Sequence, residues 1–217
     1  MFEVLGRSRL TAEKGMREMP TNAKQRFDDV MVRCDNLVAQ SQGCPIGDDM
    51  LRAAVVLAVS ALDMYAADRF AEEFVKELKR RTPSKEDVDF FTEIGVGVME
   101  VLGVLKETPK KPYKRLRKLL DDYLSRSAMQ SFSQIERLYK YYGLPKIIDN
   151  ACDRSGYKKL KLRIGNMLER RNEIVHNCDY DGKNSLQVIS RKDVDYWIKS
   201  LKSLVDNMEQ IIQNKFE

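Results

Sequence analysis

His176 is the only histidine in 217 residues, and Arg171 and Asn172 stand just before it in the run Arg170-Arg171-Asn172-Glu173-Ile174-Val175-His176-Asn177. On a helix, Asn172 and His176 share a face one turn apart. Arg171 lies roughly 140° around the wheel, from where its long stem can reach back over the same edge. A guanidinium binds phosphodiester oxygens bidentately, and an imidazole with a pKa of ~6.5 can move a proton at neutral pH. Ile174 and Val175 face elsewhere and can anchor the helix in a core. The structural alternative is a histidine that caps or packs a helix end, since a cation suits the negative end of the dipole.

Charge distribution adds to this picture. The chain carries 38 Lys and Arg against 33 Asp and Glu, a formal net charge of +5. The surplus is segregated. Residues 106–118 hold Lys106, Lys110, Lys111, Lys114, Arg115, Arg117 and Lys118 with Glu107 as the sole acid. Residues 157–171 hold Lys158, Lys159, Lys161, Arg163, Arg170 and Arg171 with Glu169 as the sole acid. Two basic stretches on an otherwise acidic chain form an electrostatic footprint for a polyanion, against the alternative of solvated helix faces. The second stretch runs straight into His176.

Several classes are set aside. One histidine excludes catalytic sites built from several imidazoles of one chain. Cys34, Cys44, Cys152 and Cys178 are far apart, without the paired spacing of a zinc site, and read as free thiols of a reducing compartment. No HExxH, P-loop or GxGxxG is present, so no metal and no cofactor is expected. The amino terminus lacks the apolar region of a secretory signal. The longest apolar stretch, 53–62, is interrupted by Ser60 and is shorter than the ~20 residues that span a bilayer. A cytoplasmic protein without membrane association is expected.

The elements that must position these groups read as helices nearly throughout. Thr21-Asn22 cap a first helix carrying Phe27, Val30, Val32, Leu37 and Val38, which stops at Gly43-Cys44-Pro45. A longer helix opens at Gly47-Asp48-Asp49 and closes at Lys79-Arg80-Arg81, with charges that suit its dipole. Its middle is apolar on nearly all faces, as in a helix at the centre of a bundle. A third helix starts near Ser84 and runs to about Glu107, weakened by Gly95, Gly97 and Gly103. Helical patterns return at 116–124, at 132–142, where Tyr139 to Tyr142 read as packing, and after Tyr157. Gly182 ends the segment carrying the histidine. Residues 185–189 read as a short strand or a loop, and a last amphipathic helix begins near Arg191 and carries Val194, Trp197, Ile198, Leu201, Val205, Met208, Ile211 and Ile212. The chain is expected to form an all-α bundle with residues 83–150 inserted between two longer parts.

Arg171-Asn172-x-x-x-His176 at the end of a helix resembles the Arg-x4-6-His signature of HEPN domains, including the polar residue that often follows the arginine. The apolar run from Met50 to Asp63 and Tyr65 is similar to the long second helix of RiboL-PSP-type HEPN proteins. The resemblance covers about 20–81 and 157–217. It implies a single HEPN-type four-helix bundle over 1–217, with core helices in those two parts and a helical insertion at about 83–150, between the second and third core helices. It further implies a metal-independent endoribonuclease that acts as a homodimer, often as a toxin or an antiphage defence effector, with an antitoxin or sensor protein as a further partner. Arg171 and His176 would be catalytic and Asn172 would support them, with Asp63 as an orienting partner. HEPN toxins paired with nucleotidyltransferase antitoxins carry a tyrosine two residues after the histidine. Here that position is Cys178, and the nearest tyrosine is Tyr180.

Metal-independent RNA cleavage needs a base for the 2′-hydroxyl, an acid for the leaving 5′-oxygen and positive charge at the phosphorus. One imidazole per chain cannot fill both proton-transfer roles, so the single histidine agrees with a two-fold dimer that joins two copies of His176. Lys158, Lys159, Lys161, Arg163 and Arg170 form the expected RNA approach, with Lys114 and Arg115 as outer contacts. Tyr113 and Tyr157 are placed to stack on bases or to pack at helix edges. The alternatives are a non-catalytic HEPN scaffold or nucleic-acid-binding module, and a helical DNA-binding protein, although no helix-turn-helix signature is present.

Overall fold

A computed structural model describes residues 21–82, 84–94, 112–126, 129 and 131–216. Among these it contains eight α-helices: α1 (Asn22–Gln40), α2 (Gly47–Arg80), α3 (Lys85–Glu93), α4 (Pro112–Leu124), α5 (Phe132–Tyr139), α6 (Ile147–Arg154), α7 (Leu160–Asn177) and α8 (Arg191–Phe216). A single turn of 3-10 helix, Lys140–Tyr142, follows α5. The class is all-α, as expected. The third helix closes at Glu93, and its expected continuation to Glu107, with Gly95, Gly97 and Gly103, lies outside the described residues.

The core is built by α1, α2, α7 and α8. Helix α2 packs against the other three, and α8 also touches α1 and α7. Thr21 caps α1 by accepting from the Lys24 N–H at 3.2 Å. Ala23, Phe27, Met31, Cys34 and Val38 then bury one stripe at intervals of three and four residues. Val32, expected inside, faces outward with 58% exposure, because the stripe runs through Met31 and Cys34 instead. The α1–α2 junction requires glycine at position 47, since a Cβ there would lie 2.2 Å from the Ser41 carbonyl oxygen.

Helix α2 has 34 residues, with Asp48 and Asp49 in its first turn and Lys79 and Arg80 in its last. At ~1.5 Å per residue it is roughly 50 Å long. It is long and apolar enough to cross a membrane, which the run 53–62 alone did not indicate, but 56% of its most apolar window is buried inside the protein. It is the central beam of the bundle.

The intervening helices dock on that beam. Ser84 and Asp87 form a reciprocal capping box at the start of α3. Phe70 and Phe74 of α2 stack at 5.3 Å and meet Phe90 of α3 at 5.3 and 5.1 Å. Tyr142 lies 4.5 Å from Phe70 and donates its hydroxyl to the Phe70 carbonyl, while Tyr139 donates to the Ala66 carbonyl at 3.1 Å. This is the packing role expected for these tyrosines. Helix α6, which the sequence pattern did not single out, contacts α8 and α7. All four cysteines are free thiols.

Candidate active site

Helix α7 is anchored by Leu160, Ile164, Met167 and Leu168. The i, i+4, i+7, i+8 spacing turns one face into the core, while Asn172 and His176, four and eight residues beyond Leu168 and rotated progressively off that face, are exposed. Arg171 follows the buried stripe and is half-buried. Its Nη1 donates to Asn172 Oδ1 at 3.1 Å. His176 has neither a hydrogen bond nor an ion pair among the described residues. Within one chain, therefore, the arginine and amide are coupled, and the imidazole stands apart on an exposed helical turn.

The helix ends sooner than Gly182, at Asn177, because Cys178 and Asp179 both adopt the left-handed conformation (φ 49° and 65°). The Cys178 N–H returns to the Glu173 carbonyl, the six-to-one bond of a Schellman turn, and the Asp179 N–H reaches the same carbonyl at 3.2 Å. Each non-glycine residue in this region costs about 1–2 kcal/mol, so the surroundings must hold it. They do so through Asp179, which is fully buried. Its Oδ2 accepts from Arg52 Nε at 2.6 Å and from Arg170 Nη2 at 2.9 Å. Arg170 also donates to the Gln187 side chain at 2.6 Å and to the Gln187 and Val188 carbonyls. Arg52 donates to the Gln187 carbonyl at 2.8 Å, and the Gln187 N–H donates to the Asp179 carbonyl at 2.9 Å. Burial opposes the charge on Arg52, but Asp179 and Asp49 outweigh it and raise its pKa above the ordinary value.

Arg170 thus departs from its expected role as an RNA contact, since its guanidinium is turned inward to brace residues 179–188. Asp63 also departs from the site. It accepts the Met129 N–H at 2.6 Å and lines a cleft with Arg26, Asp68 and Arg117. It lies eleven residues along α2 from Arg52, roughly 16 Å by helical rise. Lys158, Lys159, Lys161 and Arg163 gather at the opposite end of α7. Lys161 lies roughly 22 Å from His176 along the axis, donates to Asp149 and sits 5.8 Å from the Phe132 ring centre. Arg163 lies 4.1 Å from the centre of the Tyr196 ring. Lys158, Lys159 and Tyr157 are exposed.

The other basic stretch is only partly described. Residues 106–111 and the side chains of Tyr113 and Arg115 lie outside the described residues. Lys114 is exposed on α4, whose Arg117 pairs with Asp121 at 2.7 Å and approaches Asp68 of α2 at 3.8 Å. Helix α4 therefore docks near Asp68, sixteen residues along α2 from Arg52.

The end of α7 and the loop after it also expose apolar side chains. Val175, Tyr180, Leu186 and Val188 are 46%, 50%, 50% and 90% exposed. Residues 185–189 form no strand: Tyr180 and Leu186 make one isolated antiparallel bridge. The elements missed in the sequence are Arg52, Asp179 and Gln187. The available signal was Arg52 itself, a charge beside an apolar run that burial obliges to find a partner.

The fold and the Arg-Asn-x-x-x-His end of α7 define an all-α domain with an arginine–histidine signature on a core helix. The family model described as RiboL-PSP-HEPN matches residues 33–214, and the chain belongs to that family. It is accordingly a HEPN-type nuclease or a related module. No curated protein and no solved structure matches the chain.

Proposed function

We propose that the protein is an endoribonuclease that cleaves single-stranded RNA without a metal ion, using Arg171, Asn172 and His176 from each protomer of a homodimer. The carrying observation is the exposed His176, one turn from Asn172, on a core helix of a HEPN-family fold. In the reaction the 2′-oxygen attacks the adjacent phosphorus and its proton passes to one His176. The bond to the 5′-oxygen breaks, and the second His176 protonates that leaving oxygen. Arg171 binds the nonbridging oxygens as charge builds on them. The products are a 2′,3′-cyclic phosphate and a 5′-hydroxyl.

Two features support a dimer. His176 has no intramolecular partner among the described residues, and one imidazole cannot serve as base and acid in the same step. Val175, next to His176 in the chain, and the exposed Tyr180, Leu186 and Val188 of the loop that follows α7 supply apolar side chains of the kind found at the centre of a protein–protein contact. Lys158, Lys159, Lys161 and Arg163 then form a distant phosphate-binding approach, reached by an RNA spanning several nucleotides. A cytoplasmic toxin or antiphage effector held by an antitoxin or sensor is the setting proposed for such an activity.

The test incubates the purified protein with single-stranded RNA, with and without EDTA, beside Arg171→Ala and His176→Ala. Cleavage that persists in EDTA and vanishes in both variants supports the mechanism. Cleavage that is intact in His176→Ala or abolished by EDTA overturns it. RNA binding without cleavage by the native protein would favour the nucleic-acid-binding module.

A further inference from the structure

A fully buried aspartate held between two arginines from different helices needs a reason. Desolvating such charges is expensive, and replacing a buried ionic triad by apolar residues is often neutral or even stabilising. Asp179 retains a further cost, because its Oδ1 is buried without a hydrogen-bond partner among the described residues. Stability alone therefore does not account for the Arg52–Asp179–Arg170 triad.

What the triad fixes is local and specific. Asp179 stands three residues after His176, in the second of two successive left-handed positions. Its carboxylate is tied to α2 through Arg52 and to the body of α7 through Arg170, while its backbone is tied to Gln187. Gln187 also donates its side-chain amide to Glu173 at 3.3 Å, within the last turns of α7. His176 has no side-chain bond of its own, so its direction depends on the backbone of that final turn.

We infer that Asp179 is the positioning residue of this site: clamped by Arg52 and Arg170, it locks the left-handed turn that ends α7 and thereby sets where His176 points. The same clamp sets Gln187 and Val188 against Arg170 and Glu173 of α7. The role as part of a catalytic site rests on the nuclease reading above; the orienting role does not.

The single histidine makes the test direct, because the imidazole resonances in an NMR spectrum belong to His176 alone. Three variants, Asp179→Asn, Arg170→Gln and Gln187→Ala, are compared with the native protein in thermal unfolding, RNA cleavage and the His176 signal. A misplacement of about 1 Å costs up to about 100-fold in rate, so the folded Asp179→Asn protein is expected to lose about 10- to 100-fold in kcat. Its KM should change much less, as befits a lost transition-state geometry. Its His176 resonance should shift or broaden, with smaller effects of the same kind in the other two variants. A folded Asp179→Asn protein with native kcat and an unchanged His176 signal overturns the proposal. Should Asp179→Asn not fold, the same two readouts in Arg170→Gln and Gln187→Ala decide. If the native protein does not cleave RNA, the nuclease reading fails, while the His176 signal still decides whether the clamp orients the imidazole.

Discussion

Two arginines of α2 organise two buried ionic clusters of opposite composition. Arg69 is one cation between two acids: it donates to both oxygens of Glu209 at 3.1 Å and to Glu73 at 2.8 Å. Tyr65 adds its hydroxyl to Glu209 at 2.8 Å. Burial opposes the charge on Arg69, yet the two glutamates outweigh it and raise its pKa, while burial and Glu209 push the Tyr65 hydroxyl up. At Asp179 the ratio inverts, with one acid between two arginines. The first cluster joins two long helices in the interior, where the chain geometry is already regular. The second holds an irregular turn beside an exposed imidazole, with Asp49 and Glu173 pairing to the two arginines at its edge. Buried charges of similar geometry can thus serve cohesion in one place and direction in another.

The contrast breaks first under substitution of its central cation. Arg69→Met leaves Glu73 and Glu209 buried without their partner and should cost about 3–5 kcal/mol. That corresponds to a fall in Tm of about 6–20 °C for a chain of this size. The kcat of the remaining folded protein should stay near native. A loss of kcat as deep as that in Asp179→Asn would erase the distinction between the clusters. His176→Ala should show the reverse pattern: cleavage falls by about 100-fold or more, whereas urea unfolding changes by less than about 0.5 kcal/mol because the side chain is exposed.

A weaker effect appears at high pH, away from both clusters. Burial raises the Cys34 and Cys152 thiols to about 11 and, with Glu93, the Tyr141 hydroxyl to about 12, from ordinary values of 9.0 and 10.0. Each folded pKa lies above its unfolded value, so the corresponding stability is complete below about pH 9 and is lost as pH rises through 11 to 12. Denaturant midpoints measured across that range should fall, and Cys34→Ser should flatten the early part of the fall. The smallest effect is expected at the turn itself. Cys178→Gly removes the steric cost of φ 49°, partly offset by the greater freedom of glycine in the unfolded chain. It should stabilise by about 0.5 kcal/mol in urea unfolding.

The legibility of the sequence follows the range of the interactions. Helix starts at Thr21, Gly47 and Ser84 could be read because capping and dipole preferences act within one turn. The last helix could be read because its apolar residues repeat over 26 positions. The end of α7 could not: Gly182 is the obvious terminator, but Cys178 and Asp179 turn left-handed because Arg52, 127 residues before Asp179, is there to hold them. Arg170 and Arg171 are adjacent and alike in sequence, yet one turn step of 100° sends the first into the brace and the second toward Asn172. Asp63 stood in an apolar run with no local sign that the backbone of Met129 would claim it.

The two clusters share one shaft. Arg52 and Arg69 are seventeen residues apart on α2, roughly 25 Å along its axis, and each must arrive at a fixed azimuth to meet its acids. Inserting or deleting a single residue between them would rotate one set of contacts by about 100° relative to the other. The spacing on α2 is therefore a phase relation: the number of residues between the two arginines cannot change by one without uncoupling the site turn from the core.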